Sequence, residues 1–268
     1  MRGWSAIKHP LATPLLLLAL AASAFAADEG FRPLFNGRDL QDWDADPTLW
    51  RVVDGVIVGT SEPGKPATNS FLIWKGIVRD FEVRVTIRVI GDNNSGVQYR
   101  SRLRPEITPW TISGYQCDVH PVEVHTAMTY EERGRGIFGY NGMDVVMDPS
   151  GQRWQVGERP PVSADLSQWN EFTVIARGNR LEHRLNGRVT SVFIDHDEKN
   201  RALEGLLAIQ LHAGVPHRTE VRSILLKDLA TTAPEAFDVS RLPAGARKIE
   251  KPPVVSAQGR TPPPKKKK

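Results

Sequence analysis

Phe81-Glu82-Val83-Arg84-Val85-Thr86-Ile87-Arg88-Val89 alternates apolar and polar side chains over nine residues without a slip. Successive side chains of a strand point to opposite faces, so this is the period of a strand with one face in a core and the other in water. The same reading extends outward along the chain. Trp50 to Val58 forms a hairpin around Asp54-Gly55, a dipeptide suited to the left-handed backbone of a tight turn. Glu171–Ala176 and Arg180–Leu185 pair across Arg177-Gly178-Asn179, and Asn186-Gly187 turns the chain into Val189–Ile194. Leu206–Leu211 and Val221–Leu226 supply two more strands. No stretch sustains a helical period, apart from a turn near Asp165 to Trp169. Short strands at roughly ten-residue spacing, with Gly, Asn and Asp between them, predict an all-β antiparallel sandwich or jelly roll, with a closed barrel as the competing arrangement.

The 268 residues divide into three parts. Residues 1–26 have two basic side chains, the apolar run Leu15 to Leu20 and the small-residue site Ala24-Phe25-Ala26. That layout predicts a secretory signal peptide, and the run is too short for a transmembrane anchor. The expected location is therefore periplasmic or extracellular. Residues 27–230 form the expected domain. Residues 231–268, ending in Thr-Pro-Pro-Pro-Lys-Lys-Lys-Lys, read as a disordered basic tail able to contact an anionic cell-surface polymer.

The net charge of +4 belongs to the ends. Residues 231–268 carry nine basic and three acidic side chains and 1–26 two basic ones, which leaves 24 basic against 28 acidic in the domain. The folded part is mildly acidic, so the charge gives no footprint for nucleic acid. The one cysteine, Cys117, excludes an intrachain disulfide, and its neighbours make it a small buried hydrophobe.

Chemistry concentrates in Gly114-Tyr115-Gln116-Cys117-Asp118-Val119-His120. Gln116, Asp118 and His120 share one strand face, with Tyr115, Cys117 and Val119 on the other. A glycine-punctuated segment follows, Tyr130-Glu131-Glu132-Arg133-Gly134-Arg135-Gly136. Gln210 and His212 share a face in the apolar run Leu206 to Gly214, and Asn94, Gln98 and Arg100 alternate after the turn at Gly91. A curved sheet would gather these into one hollow. The motifs of zinc peptidases, phosphate-binding loops and serine hydrolases are absent from the sequence, as is the carboxylate ladder of laminarinase-like glucanases. Asp92, Asn93 and Asn94 could ligate a divalent cation, although such runs usually make plain turns; no cofactor is expected.

The segment Phe31-Arg32-Pro33-Leu34-Phe35-Asn36-Gly37-Arg38-Asp39-Leu40-Gln41-Asp42-Trp43 resembles the opening of the 3-keto-disaccharide hydrolase domain family. Trp50 to Gly59, Asn94-Ser95-Gly96-Val97, Gly114-Tyr115-Gln116, Trp169-Asn170-Glu171, Asn186-Gly187 and Gln210-x-His212 extend the likeness over about 200 residues in the family's order. The resemblance implies a concanavalin A-like jelly roll. It also implies 3-keto-α-glucoside 1,2-lyase and 3-keto-2-hydroxyglucal hydratase activity: β-elimination across C1–C2 followed by rehydration. The central strand departs from the commoner family form, which is closer to Tyr-Glu-Val-Gln. For such chemistry Asp118 or Glu131 would be the base at C2. His212 would be the acid or the enolate donor, Arg135 or Arg100 the enolate stabiliser, and Gln116, Gln210 and Asn94 the holders of sugar hydroxyls, with His120 beside them. The rival expectation is a lectin-like carbohydrate-binding module using Trp43, Trp74, Trp110, Trp154 and Trp169 as stacking platforms.

Overall fold

The computed structural model describes residues 30–250, a sandwich of two β-sheets. The smaller sheet has seven strands. Their edge-to-edge order is β10 (Gly136–Gly139), β9 (Thr129–Glu132), β8 (Ile112–Val119), β7 (Ser95–Leu103), β16 (Gly205–Leu211), β5 (Ser70–Val78) and β2 (Trp43–Asp44). The larger sheet has eleven. It runs from β18 (Arg247–Ile249) through β12 (Arg153–Glu158), β11 (Met143–Met147), β15 (Arg188–Asp195), β14 (Arg180–Leu185) and β13 (Asn170–Arg177). It continues through β6 (Phe81–Ile90), β17 (Arg218–Asp228), β4 (Val56–Thr60) and β3 (Trp50–Val53), with β1 (Arg32–Pro33) paired to β17. The pairings are antiparallel except that of β11 with β15. This is the jelly-roll sandwich the alternation predicts.

The core follows from that alternation. Phe81, Val83, Val85, Ile87 and Val89 of β6 face inward and join one apolar cluster with Val97, Tyr99, Tyr115, Cys117, Val119, Leu207, Ile209 and Leu211 of the smaller sheet. The expected hairpin turns form at Asp54-Gly55 and Asn186-Gly187, where both residues of each pair have positive φ. Cys117 lies in the core, and burial pushes its thiol pKa well up.

The tail expected from residue 231 onward differs from the structure in its first part. The backbone N–H of Thr232 donates to Asp80, that of Glu235 to the Asn179 side chain, and β18 adds an edge strand to β12. Burial of Asp80 and Asn179 gives this Pro- and Ala-rich stretch polar partners its composition does not reveal. The leader expected at 1–26 and the lysine-rich end lie outside the described residues. Among the described residues, no helix is long and apolar enough to cross a membrane.

Candidate active site

The face of the smaller sheet turned away from the core is polar at its centre. Register shows why: Gln98 pairs with Gln116, Gly96 with Asp118 and Tyr130 with Gln116, while Ala208 pairs with Gln98. Directly opposed residues share a face, so Asn94, Gln98, Gln116, Asp118, Tyr130, Glu132 and Gln210 stand together, with His120 and His212 just past the ends of β8 and β16. Phe71 and Ile73 of β5 continue the face and, with Ile112 and Ala208, make a small apolar cluster there.

The floor is a hydrogen-bonded lattice. The Gln98 amide donates to Gln116 Oε1 at 2.5 Å and the Gln210 amide to the same oxygen at 3.2 Å. Gln116 Nε2 donates to Asp118 Oδ1 at 2.5 Å. Gln98, Gln116, Gln210 and Asp118 are all buried, and Asp118 is 6% exposed. Burial pushes the Asp118 carboxyl up to about 7; the Gln116 bond pulls the other way and the charge of Glu132 adds to the rise. Burial likewise raises Glu132, against the pull of Arg133 and the amide of Asn69, which donates to Glu132 at 3.2 Å.

Two half-buried imidazoles stand on the rim with opposite tautomers. The backbone N–H of Val122 donates to His120 Nδ1 at 3.0 Å, so the His120 proton lies on Nε2. His212 Nδ1 faces the Ala213 carbonyl at 2.6 Å and must donate to it, so its Nε2 is an acceptor. Burial and the neighbouring His125 and His212 push His120 down to about 4, and burial lowers His212, so both rings are neutral at pH 7. One ring offers a proton and the other a lone pair.

Three of the residues expected in the site lie elsewhere. Glu131 pairs with Tyr115 and turns to the core side of β9, where it accepts two bonds from the Arg135 guanidinium and one from the Arg135 backbone N–H. Arg135 also binds Asp195 at the end of β15 and Asp197 just beyond it and stacks over Phe138, so Glu131 and Arg135 form a clamp between the sheets, on the side opposite Asp118. Arg100 follows a bulge in β7, has φ of 46°, and is fully buried with Asp80 at 3.0 Å. It also donates to the carbonyls of Arg79 and Gly178. A bulge moves a side chain to the other face, which parity in the sequence does not register. Gln98, Tyr130 and Glu132 take their place. Gln98 was legible from its even spacing to Asn94, four residues earlier. Glu132 was not, since either of two adjacent glutamates can face outward until the register of a four-residue strand is known.

The other candidates sort as follows. Asn93 holds the Ala213 and Val215 carbonyls and its Oδ1 accepts from Asn94, so the Asp92–Asn94 run makes a loop clamp. Among the described residues, no three His, Cys, Asp or Glu side chains are arranged to hold a metal ion. Trp43 is core, Trp110 donates to Asp44, Trp154 packs under Lys248, and Trp169 lies between Arg88 and Arg222 on the larger sheet.

Residues 30–227 match the family described as the 3-keto-alpha-glucoside-1,2-lyase-like domain. The chain belongs to that family. The family ties it to carbohydrate, as a domain that acts on it or binds it. No curated protein matches. Among solved structures, a putative glycosyl hydrolase from Parabacteroides distasonis is similar at 20% identity and TM-score 0.51, covering 75% of this chain and 95% of its own. A Bacillus subtilis protein of unknown function with a galectin-like fold is 12% identical with TM-score 0.49, covering 75% and 96%. The carbohydrate-binding module CBM66 from Bacillus subtilis is 14% identical with TM-score 0.37, covering 74% and 92%. The first of these is a likeness of fold.

Proposed function

We propose that the polar face acts on glycosides carrying a ketone at sugar C3, cleaving them by β-elimination and adding water back, in net a hydrolysis. The ketone acidifies the C2–H. Asp118 takes that proton, and the electron pair moves into an enolate on the C3 oxygen. The enolate collapses, the C1–O bond breaks, and the leaving oxygen receives the proton that Asp118 took. Water then adds through its oxygen to C1, and its proton passes through Asp118 to C2. A carboxylate with pKa near 7 suits this work, because it is the strongest base of its type that is still ionised at neutral pH. The His120 Nε2–H is a donor for the enolate oxygen, and a neutral imidazole does this without giving up its proton. His212 Nε2 orients the water. Asn94 and Tyr130, half-buried beside them, hold sugar hydroxyls.

The observation that carries this reading is Asp118 itself: a buried carboxyl at the centre of a polar sheet face, fixed by an amide and near-neutral in its titration. Read with the leader-like first 26 residues, the proposal places the reaction on exported material. Purified protein given a 3-keto-glucoside should release 3-ketoglucose, and Asp118→Asn should slow release by at least about a hundredfold while leaving the circular dichroism spectrum unchanged. Binding of unoxidised glycan with no turnover of the keto-glycoside would support the lectin-like alternative instead.

A further inference from the structure

We propose that Gln98 and Gln210 are positioning residues which, through Gln116, lock the Asp118 carboxylate in its reactive orientation. Gln116 Oε1 receives amide protons from two neighbouring strands, Gln98 at 2.5 Å and Gln210 at 3.2 Å. An amide whose oxygen is held by two N–H donors cannot flip without setting N–H against N–H, so its nitrogen must face Asp118 Oδ1. Gln98 is fixed in turn by the Ser101 hydroxyl, which donates to its Oε1 at 3.0 Å. The space for this arrangement comes from Gly96. A Cβ there would sit 2.5 Å from Gln116 Cδ, so the Gln116 side chain lies where any other residue would stand. Gln210 Oε1 is buried and without a hydrogen-bond partner, which leaves one acceptor open at the floor of the site. A buried amide oxygen of this kind is costly unless water or a ligand hydroxyl fills it.

The groups around Asp118 are Glu132 and Tyr130 on β9, His120 beyond the end of its own strand, Cys117 on the opposite face, and His212 beyond β16. None of them donates to Asp118 Oδ1; Gln116 does. Freeing Gln116 therefore removes a bond that favours the ionised form, and Asp118 should bind its proton more tightly.

The test is carboxyl carbon NMR on the full chain, with the Asp118 resonance assigned by its loss in Asp118→Asn. In Gln98→Met the Asp118 midpoint should rise by about one pH unit, the scale of one hydrogen bond to a charged group. Gly96→Ala, which keeps every polar group but displaces Gln116, should do the same and serves if Gln98→Met does not fold. An unchanged midpoint in either folded variant overturns the proposal. This readout needs no turnover, so it stands apart from the lyase reading. If that reading also holds, the acidic limb of kcat/KM moves upward by the same amount, about a tenfold loss on that limb.

Discussion

Asp118 is a carboxyl group kept where ionisation is costly, and two consequences follow at the scale of the single residue. The first is catalytic: kcat/KM for a 3-keto-glucoside should rise with pH through about 7, and Asp118→Asn should lower it by about 10²–10⁴-fold. A steady-state pH profile checks both. The second is thermodynamic. A carboxyl whose pKa rises from 3.8 unfolded to about 7 folded favours the native state fully below pH 3.8 and loses that contribution as pH climbs to 7. Asp118→Asn should therefore gain stability relative to the parent between pH 5 and 8, approaching on the order of 4 kcal/mol if no rearrangement intervenes. Denaturant unfolding at several pH values measures it. At this scale the sequence was informative where a regular strand kept its parity, as at Gln116, Asp118 and Gln210. It failed where parity was interrupted. The bulge after Tyr99 sent Arg100 into the interior, and the short β9 left Glu131 and Glu132 indistinguishable until pairing with Tyr115 and Gly114 assigned them to opposite faces.

Among the elements, the long strands were legible because their burial is one-sided and regular, as in β6. What joins them was not. Arg100 reaches from β7 to Asp80, and Asp80 in turn receives the backbone N–H groups of Gly178 and Thr232. Asp80→Ala would leave a guanidinium buried without its counter-charge, and such a loss costs about 3–5 kcal/mol. Urea unfolding should record it as a lower midpoint. The β18 strand was invisible because its three residues, Arg247-Lys248-Ile249, carry no period; it is defined by the edge of β12 that it covers. Truncation after residue 230 should lower the melting temperature and, by uncovering the β12 edge, promote self-association measurable by light scattering.

For the molecule as a whole, burial without ionisation is a recurring theme. His120, His183 and His217 are each pushed down to about 4, chiefly by burial. His183 sits in the core with Tyr99 Oη 2.7 Å from its Nε2. A histidine with a depressed folded pKa supports the native state above its unfolded value of 6.5, and that support disappears as pH falls toward 4. Three such rings act against the opposing contributions of Asp118 and Glu132, both raised by burial, so the melting temperature should fall steadily from pH 6.5 to 4, and His183→Phe should blunt the fall. The sandwich itself was readable from alternation and turn chemistry, because a half-buried antiparallel strand imposes its period on the sequence. The gathering of Gln98, Gln116, Gln210 and Asp118 required β7 to pair both with its neighbour β8 and with β16, a strand far along the chain, which local pattern does not encode. The central claim is that this gathered face breaks the C2–H bond of a keto-sugar. The direct measurement is turnover of a 3-keto-glucoside in D₂O, with the product read by mass spectrometry at times short against spontaneous exchange. Turnover should give 3-ketoglucose carrying one deuterium at C2, released at least about a hundredfold more slowly by Asp118→Asn; product with C2 unlabelled, or equal release by the variant, would overturn the assignment.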